Sequence, residues 1–450
     1  MVDFDSTKYD DRDTGRGLRQ RRPFGRSTSC PPSTTGRWND VAGNDLLSPT
    51  NTYQSGDSGS KPNISASSAA AEEVVDIPEP FTVANQLRRV FFSSWLNILL
   101  LAAPAGIALH FAQFSAAPIA TFVVNAAALM PLSVMLSFAT DEVALRAGNT
   151  IGGLLNVTFG NAVELIVSIV ALLQHEIVIV QTALVGSILS NLLLVLGVAF
   201  LLGGARRSEQ HLNRTAAETA AGLLAMAVAG VMLPTVFDLA SSTPAATIAH
   251  ISRGTSVILL IVYGAYLVFQ LRTHRDLLTD TMVASTTKPK LHATVAIALL
   301  VGSTSLVAVC AEFLVESIDG VTEKLDVSRE FIGLVLLPIV GNVPSLVVAT
   351  AAALRNHADL AIVVTVGASL QVALFVLPLV VVVGWGLGID GMTLSFDVFQ
   401  VTLLFVSVLL VNFQITTGRT YWLSGALLIQ LFAIVATCSW WYPSDDTKSA

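Results

Sequence analysis

The sequence predicts an all-α polytopic membrane protein. It has about 11 transmembrane helices, arranged as two inverted five-helix repeats behind one extra N-terminal helix. Three observations carry this expectation. The chain is 53% hydrophobic and 13% charged, with a mean hydropathy of +0.67, roughly half the charged fraction of an ordinary globular domain. Apolar runs long enough to cross a bilayer recur from about residue 95 to 441. Two of those runs carry related six-residue stretches, "GNAVEL" at 160–165 and "GNVPSL" at 341–346.

Residues 1–85 are rich in Ser, Thr, Gly, Asp and Arg and have no hydrophobic period. Such a segment buries too little apolar surface to offset its ordering entropy, so a disordered cytosolic tail is expected. It has no apolar stretch of signal-peptide type, so the first span is expected to serve as its own insertion signal. Eleven spans are then read at about 94–113, 117–139, 151–173, 177–203, 216–238, 254–271, 291–316, 330–354, 359–386, 396–413 and 420–441. All are expected to be helices, because a helix satisfies its own backbone in lipid, and the runs are too long for barrel strands. The domains read as the tail, a first repeat with the extra helix at 86–271, a short linker at 272–290, a second repeat at 291–441, and a tail at 442–450.

Orientation follows from Lys and Arg in the short loops. With the N-terminus in the cytosol, that side holds Arg146, Arg206, Arg207, Arg214, Arg272, Arg275, Lys288, Lys290, Arg355 and Arg419, while the other holds Arg253, Lys324, Arg329 and Lys448. Arg88 and Arg89 add to the excess. The N-terminus is therefore expected in the cytosol and the C-terminus in the lumen. The net charge of -7 is spread over tail, loops and membrane and decides little. Cys30, Cys310 and Cys438 are too few and too scattered for a disulfide framework or a zinc site.

The two Gly-Asn blocks agree beyond their first residues. From Gly160 to Gly186 is 26 residues, and from Gly341 to Gly367 is also 26. Each block runs as a Gly-Asn helix, a short polar link and a second helix that opens near a Val-Gly-small triplet. They fall in spans three and eight, which cross in opposite directions. That is the pattern of a transporter built from inverted repeats, with its site near the midplane.

The chemistry sits on those helices. Asn161 and Glu164 are three apart and share a face. A carboxylate inside the membrane is costly and marks a functional candidate. Hard cations such as calcium take oxygen ligands from carboxylates, amides and carbonyls. A carboxylate in low dielectric also accepts a proton readily, so one group can serve both ions. Asn342 and Ser345 hold the related positions in the second block. Ser187, Ser190, Asn191, Ser369 and Gln371 are candidates for further oxygens. Two acidic pairs, Asp141 with Glu142 and Glu312 with Glu316, precede the two blocks. They are candidates for proton relay or cation access. His110 and His175 are read as interfacial and given no role.

The stretches "GNTIGGLLNVTFGNAVELIVSIVALL" and "VGSILSNLLLVLG" resemble the first repeat of CAX-type calcium/proton exchangers, in the cation/calcium exchanger superfamily. "EFIGLVLLPIVGN" and "RNHADLAIVVTVGASLQVALFVLPLVVVVGW" resemble the second. The resemblance covers roughly residues 85–441. It implies eleven spans and export of Ca2+ from the cytosol, typically into a vacuole, against H+. It also implies a cation site of two glutamates, one per repeat. The family's second motif reads Gly-Asn-Ala-Ala-Glu-His. Here Val343 and Pro344 replace the alanines, Ser345 the glutamate and Leu346 the histidine. The flanks align without a gap. The acidic stretch the family carries after span six is also absent from 272–290.

Three functions follow as expectations. The first is exchange of Ca2+, or of a related divalent ion such as Mn2+, for H+ across a vacuolar or other endomembrane, weakened by Ser345. The second is monovalent cation/H+ antiport through a single-carboxylate site. The third is a non-transporting regulatory protein of the same fold. No HExxH, GxSxG or paired intramembrane aspartates suggest an enzyme, and no cofactor is expected beyond the transported ions. The expected partners are the cation, protons and the lipid bilayer. Self-association into a homo-oligomer is left open, and no basic domain points to nucleic acid.

Overall fold

The structure is a computed structural model in which residues 83–91, 95–111, 117–241, 244–273 and 289–443 are described. Nearly all of the expected tail, most of the 272–290 linker and residues 444–450 lie outside them. The described residues belong to one compact unit, Ile77–Ala450.

Among the described residues the regular structure is helical apart from one short antiparallel pair, Gln210–His211 (β1) with Arg419–Thr420 (β2). An amphipathic helix, Val83–Phe91 (α1), leads to Ala102–His110 (α2). The long helix Ala117–Phe159 (α3) is interrupted at Gly148, whose φ of 82° and ψ of 170° leave helical space. Then come Ala162–Leu173 (α4), Ile177–Leu189 (α5), Leu196–Gly204 (α6), Arg214–Ser241 (α7) and Ala245–Val268 (α8). The second half holds Ala293–Glu316 (α9), Ile318–Leu325 (α10), Arg329–Phe331 (α11), Leu337–Gly341 (α12), Val343–Leu354 (α13) and Ala358–Gln371 (α14). It ends with Leu377–Gly386 (α15), Val398–Thr416 (α16) and Trp422–Trp440 (α17).

Eight helical stretches are long and apolar enough to span a membrane among the described residues, or nine if a bent pair counts as one. The eleven expected segments are all helical, but the count of 11 full spans is not reproduced. The first is short, Leu96–His110. The third and eighth are broken at the Gly-Asn motifs. Asn161 (φ −117°, ψ 31°) and Asn342 (φ −87°, ψ 9°) both leave helical geometry. Around Asn342 the two halves, Arg329–Gly341 and Val343–Leu354, meet at 59°. Pro344 is not needed for this break, because the first repeat breaks at the same point without a proline. Pro344 sits in the first turn of α13, where its missing N–H costs nothing.

The repeat is written into the backbone. After α4, the N–H groups of His175 and Glu176 donate to Leu172 O and Ala171 O. After α13, those of Asn356 and His357 donate to Ala353 O and Ala352 O. His175 (φ 61°) and Asn356 (φ 67°) both adopt the left-handed region that turns each link. A π-helical turn follows α5 at Ser190–Val195, and another follows α14 at Val372–Val376. Such turns recur at functional sites.

α5 and its π turn form the most enclosed part of the bundle, with Ile188, Leu189, Leu192 and Leu193 at 0% exposure. Leu233, Ile261, Val301 and Phe413 on surrounding helices are 60–67% exposed, as lipid-facing side chains should be. At one end of the bundle Arg207 donates to Leu354 O, and Gln210 to Ala353 O, capping α13. At the other end Arg329 pairs with Glu176 and Asp319.

Candidate cation site between the two broken helices

The break at Asn161 places Glu164 in the first turn of α4. Its carboxylate lies against the end of α12. A Cβ added at Gly341 would stand 3.1 Å from Glu164 Oε1. A side chain at 341 would make the Glu164 carboxylate give by a few tenths of an ångström. Glu164 also borders a small cavity of about 30 Å³ walled by Leu129, Val167, Leu184, Leu337 and Val340. That is room for a water or two, and besides Glu164 the polar side chains lining it are Ser168 and Ser187.

Each motif asparagine reaches the opposite repeat. Asn161 Nδ2 donates to Gln371 Oε1 at 2.6 Å, joining α4 to α14. Asn342 Oδ1 accepts from Asn191 Nδ2 at 3.1 Å and from Ser187 Oγ at 3.5 Å. Asn342 Nδ2 donates to Ser187 O at 3.3 Å. Both asparagines are 3% exposed. The exchange of partners fixes the two breaks beside each other, as the repeat requires. Asn191 Oδ1 and Ser190 Oγ are buried and find no partner among the described residues. These two oxygens are open to a further hydrogen bond or to a cation.

The other candidates divide. Ser369 donates back to Thr365 O of its own helix at 2.9 Å. Ser345 is half-buried in the first turn of α13 and takes no part in the asparagine bonds above. Asp141 and Glu142 lie away from Glu164, in a polar cavity of about 450 Å³ with Asn156 and Lys290. Within it Glu142 is fully engaged. Its oxygens accept from the N–H groups of Lys290 (3.0 Å) and Leu291 (3.0 Å) and face Arg146 Nη1 at 3.3 Å. Asp141 is exposed, with Asn156 beside it. Glu312 and Glu316 are exposed at the opposite end. Glu316 lies 3.8 Å from His110, whose ring stacks on Phe313 at 4.0 Å. No group of three or more His, Cys, Asp and Glu that could hold a metal exists among the described residues. A cation here would meet one carboxylate and neutral oxygens.

Two features escaped the sequence reading. Gly186 packs into the carbonyls of Gly333 and Leu334, where an added Cβ would come within 2.7 and 2.6 Å. Glu330, only 5% exposed, opens the second broken helix. The Val-Gly-small triplet signalled the first. Nothing local signalled the burial of the second.

Comparison with known proteins shows the family of the chain. The family model described as "Sodium/calcium exchanger protein" matches residues 117–272 and again 295–441. The chain is 42% identical over 368 residues to a vacuolar calcium ion transporter of Schizosaccharomyces pombe, covering 80% of this chain and 88% of that one. It is 36% identical over 360 residues to a Ca(2+)/H(+) antiporter of Aphanothece halophytica, covering 77% and 96%. The solved structure of native YfkE superposes with a TM-score of 0.65 at 30% identity, over 77% of this chain and all of that one.

Proposed function

Because the chain belongs to the sodium/calcium exchanger family, we propose that it is a secondary active antiporter exchanging Ca2+, or a related divalent cation, for H+ across an organelle membrane. The observation that carries this reading is the Glu164 carboxylate seated against Gly341 between two broken helices. Broken helices offer a cation free carbonyls and a carboxylate at mid-membrane without lipid contact. The names of the Schizosaccharomyces pombe and Aphanothece halophytica relatives support calcium as the ion, and the former supports a vacuolar membrane. Transport, rather than enzymatic turnover, is the activity.

Glu164 is the group that alternates between cation and proton. Asn161, Asn342 and Gln371 supply amide oxygens, Ser187 adds one from α5, and Ser190 and Asn191 add theirs from the π turn. Asp141 faces the cavity at the Arg146 end and draws cations toward α3. Glu142 holds the start of α9 instead. The Arg146 end is cytosolic, in keeping with its excess of Lys and Arg. One observation favours a second reading: Ser345 stands where the repeat would set a second acid, which suits a monovalent cation.

The test is uptake of Ca2+ and Mn2+ into vesicles with an acidic interior. Uptake should stop when an ionophore collapses the pH gradient. Competition by Na+ and K+ separates the two ion classes. Vesicles that take up none of these ions with folded protein present would leave the non-transporting reading.

A further inference from the structure

The two repeats differ in charge at one matched position. The two repeats bring related groups together, Asn161 with Gln371 and Asn342 with Asn191, all neutral amides. Their acids are not matched: Glu164 in the first repeat corresponds to Ser345 in the second. Acids and thiols on the elements packed around α4 do not fill the gap. Glu312 and Glu316 are exposed at the far end of α9, and Glu176 is paired with Arg329. Asp141 and Glu142 share a different cavity, and Cys310 is a buried free cysteine.

A site with one carboxylate is neutral when it carries a proton or a monovalent cation. With a divalent cation it carries one net positive charge. We propose that Ser345 makes divalent exchange by this chain electrogenic, one positive charge moving per cycle, where a carboxylate at that position would make it electroneutral. The inference rests on the antiport reading above and adds to it the driving force. Membrane potential then acts on the transport equilibrium directly, at about tenfold in cation ratio per 60 mV for a single charge.

The experiment uses the full chain in proteoliposomes with an acidic interior and a membrane potential clamped by valinomycin and potassium. Calcium accumulation is read at zero potential and at about 60 mV, interior negative. Wild type should accumulate about tenfold more calcium at the negative potential. Ser345→Ala should behave the same, and Ser345→Glu should lose the response. Wild-type uptake that follows the pH gradient but ignores the potential would overturn the inference and leave the antiport reading standing. No pH-driven uptake of Ca2+ or Mn2+ by folded protein would overturn both. If Ser345→Glu fails to insert, the wild-type response to the clamp decides alone.

Discussion

Residues 151–160 and 332–341 occupy the same place in the two repeats, yet they live in different surroundings. The second segment begins with a π-helical turn, and its Ile332, Gly333, Leu334, Val335, Leu337 and Val340 are buried. Gly333 lies against Thr182, and Gly186 receives the carbonyls of Gly333 and Leu334. The first segment is α-helical and largely uncovered, with Ile151 60% and Leu154 48% exposed. Gly367, the counterpart of Gly186, would meet nothing within 4 Å if it carried a Cβ. Instead it lines a groove with Tyr266, Gln270, Val363 and Leu370. Related sequences thus do not settle into related packing. One side of the Glu164 site is sealed by glycine-to-backbone contact, and the other side is left open.

The largest effect should come from the acid that only the first repeat retains. Glu164→Gln keeps the shape and removes the charge. Removing the one charged partner of a buried ion costs about 3 kcal/mol or more, a hundredfold or greater loss. Proton-coupled cation flux should fall by at least that factor, while Ser345→Ala at the related position stays within a few fold. Equal losses at the two positions, read by vesicle flux, would mean that the repeats contribute equally and that the charge asymmetry is irrelevant.

The packing asymmetry is tested by a matched pair of glycine substitutions. Gly186→Ala drives a methyl into two backbone carbonyls that cannot rotate away, so a destabilisation of about 1–3 kcal/mol is expected from overpacking. Gly367→Ala meets open space, and alanine's better helix propensity should leave stability unchanged or up to about 1 kcal/mol higher. Thermal unfolding in detergent reads both. Equal destabilisation by the two alanines would show that both sides of the site are sealed alike in solution.

How much of this was legible beforehand differs by feature. Composition and apolar runs gave the membrane class, because lipid imposes length and self-satisfied backbone on any span. The Gly-Asn spacing gave the repeat and placed Glu164, Asn161 and Asn342 together, since a 26-residue period repeated with the same link is hard to reach by accident. What stayed hidden depended on distant partners. Glu142 looked like a relay acid, but it binds N–H groups of Lys290 and Leu291, well over a hundred residues away in sequence. Pro344 stands next to the break at Asn342 but does not explain it, since the same break at Asn161 has no proline nearby. The difference between Gly186 and Gly367 cannot be read from either sequence block, because it belongs to the packing of one state of the bundle.

A third pair compares the motif asparagines. Asn342 makes bonds to Asn191 and Ser187 in fully enclosed surroundings, whereas Asn161 makes one, to the half-buried Gln371. Asn342→Ala strands two buried polar side chains and should cost about 2 kcal/mol, against about 1 kcal/mol for Asn161→Ala. Chemical denaturation of the purified protein would show the order. The reverse order would mean that Asn161 Nδ2 is the more deeply committed group and that the two breaks are not held as described.

The smallest effect on transport is expected at Glu142, and it separates a structural acid from an exchanging one. Glu142 is 3% exposed, and its oxygens are consumed by the Lys290 and Leu291 N–H groups and by Arg146. It therefore ties the end of α3 to the start of α9. Glu142→Gln keeps one carbonyl acceptor for those donors but loses the charge that strengthens the bonds and faces the guanidinium. A stability loss of about 1 kcal/mol follows from weakening charge-assisted hydrogen bonds rather than abolishing them. Coupled flux per folded molecule should change by less than about threefold, since no step of exchange passes through a carboxylate whose oxygens are already occupied. Asp141→Asn, one residue away but exposed in the same cavity, should slow uptake at low cation concentration more than Glu142→Gln does. If Glu142→Gln instead abolishes flux in protein of normal stability, the acid takes part in transport. Glu164 would then no longer be the single exchanging carboxylate, and the contrast between the two repeats would have to be redrawn around a second acid on α3.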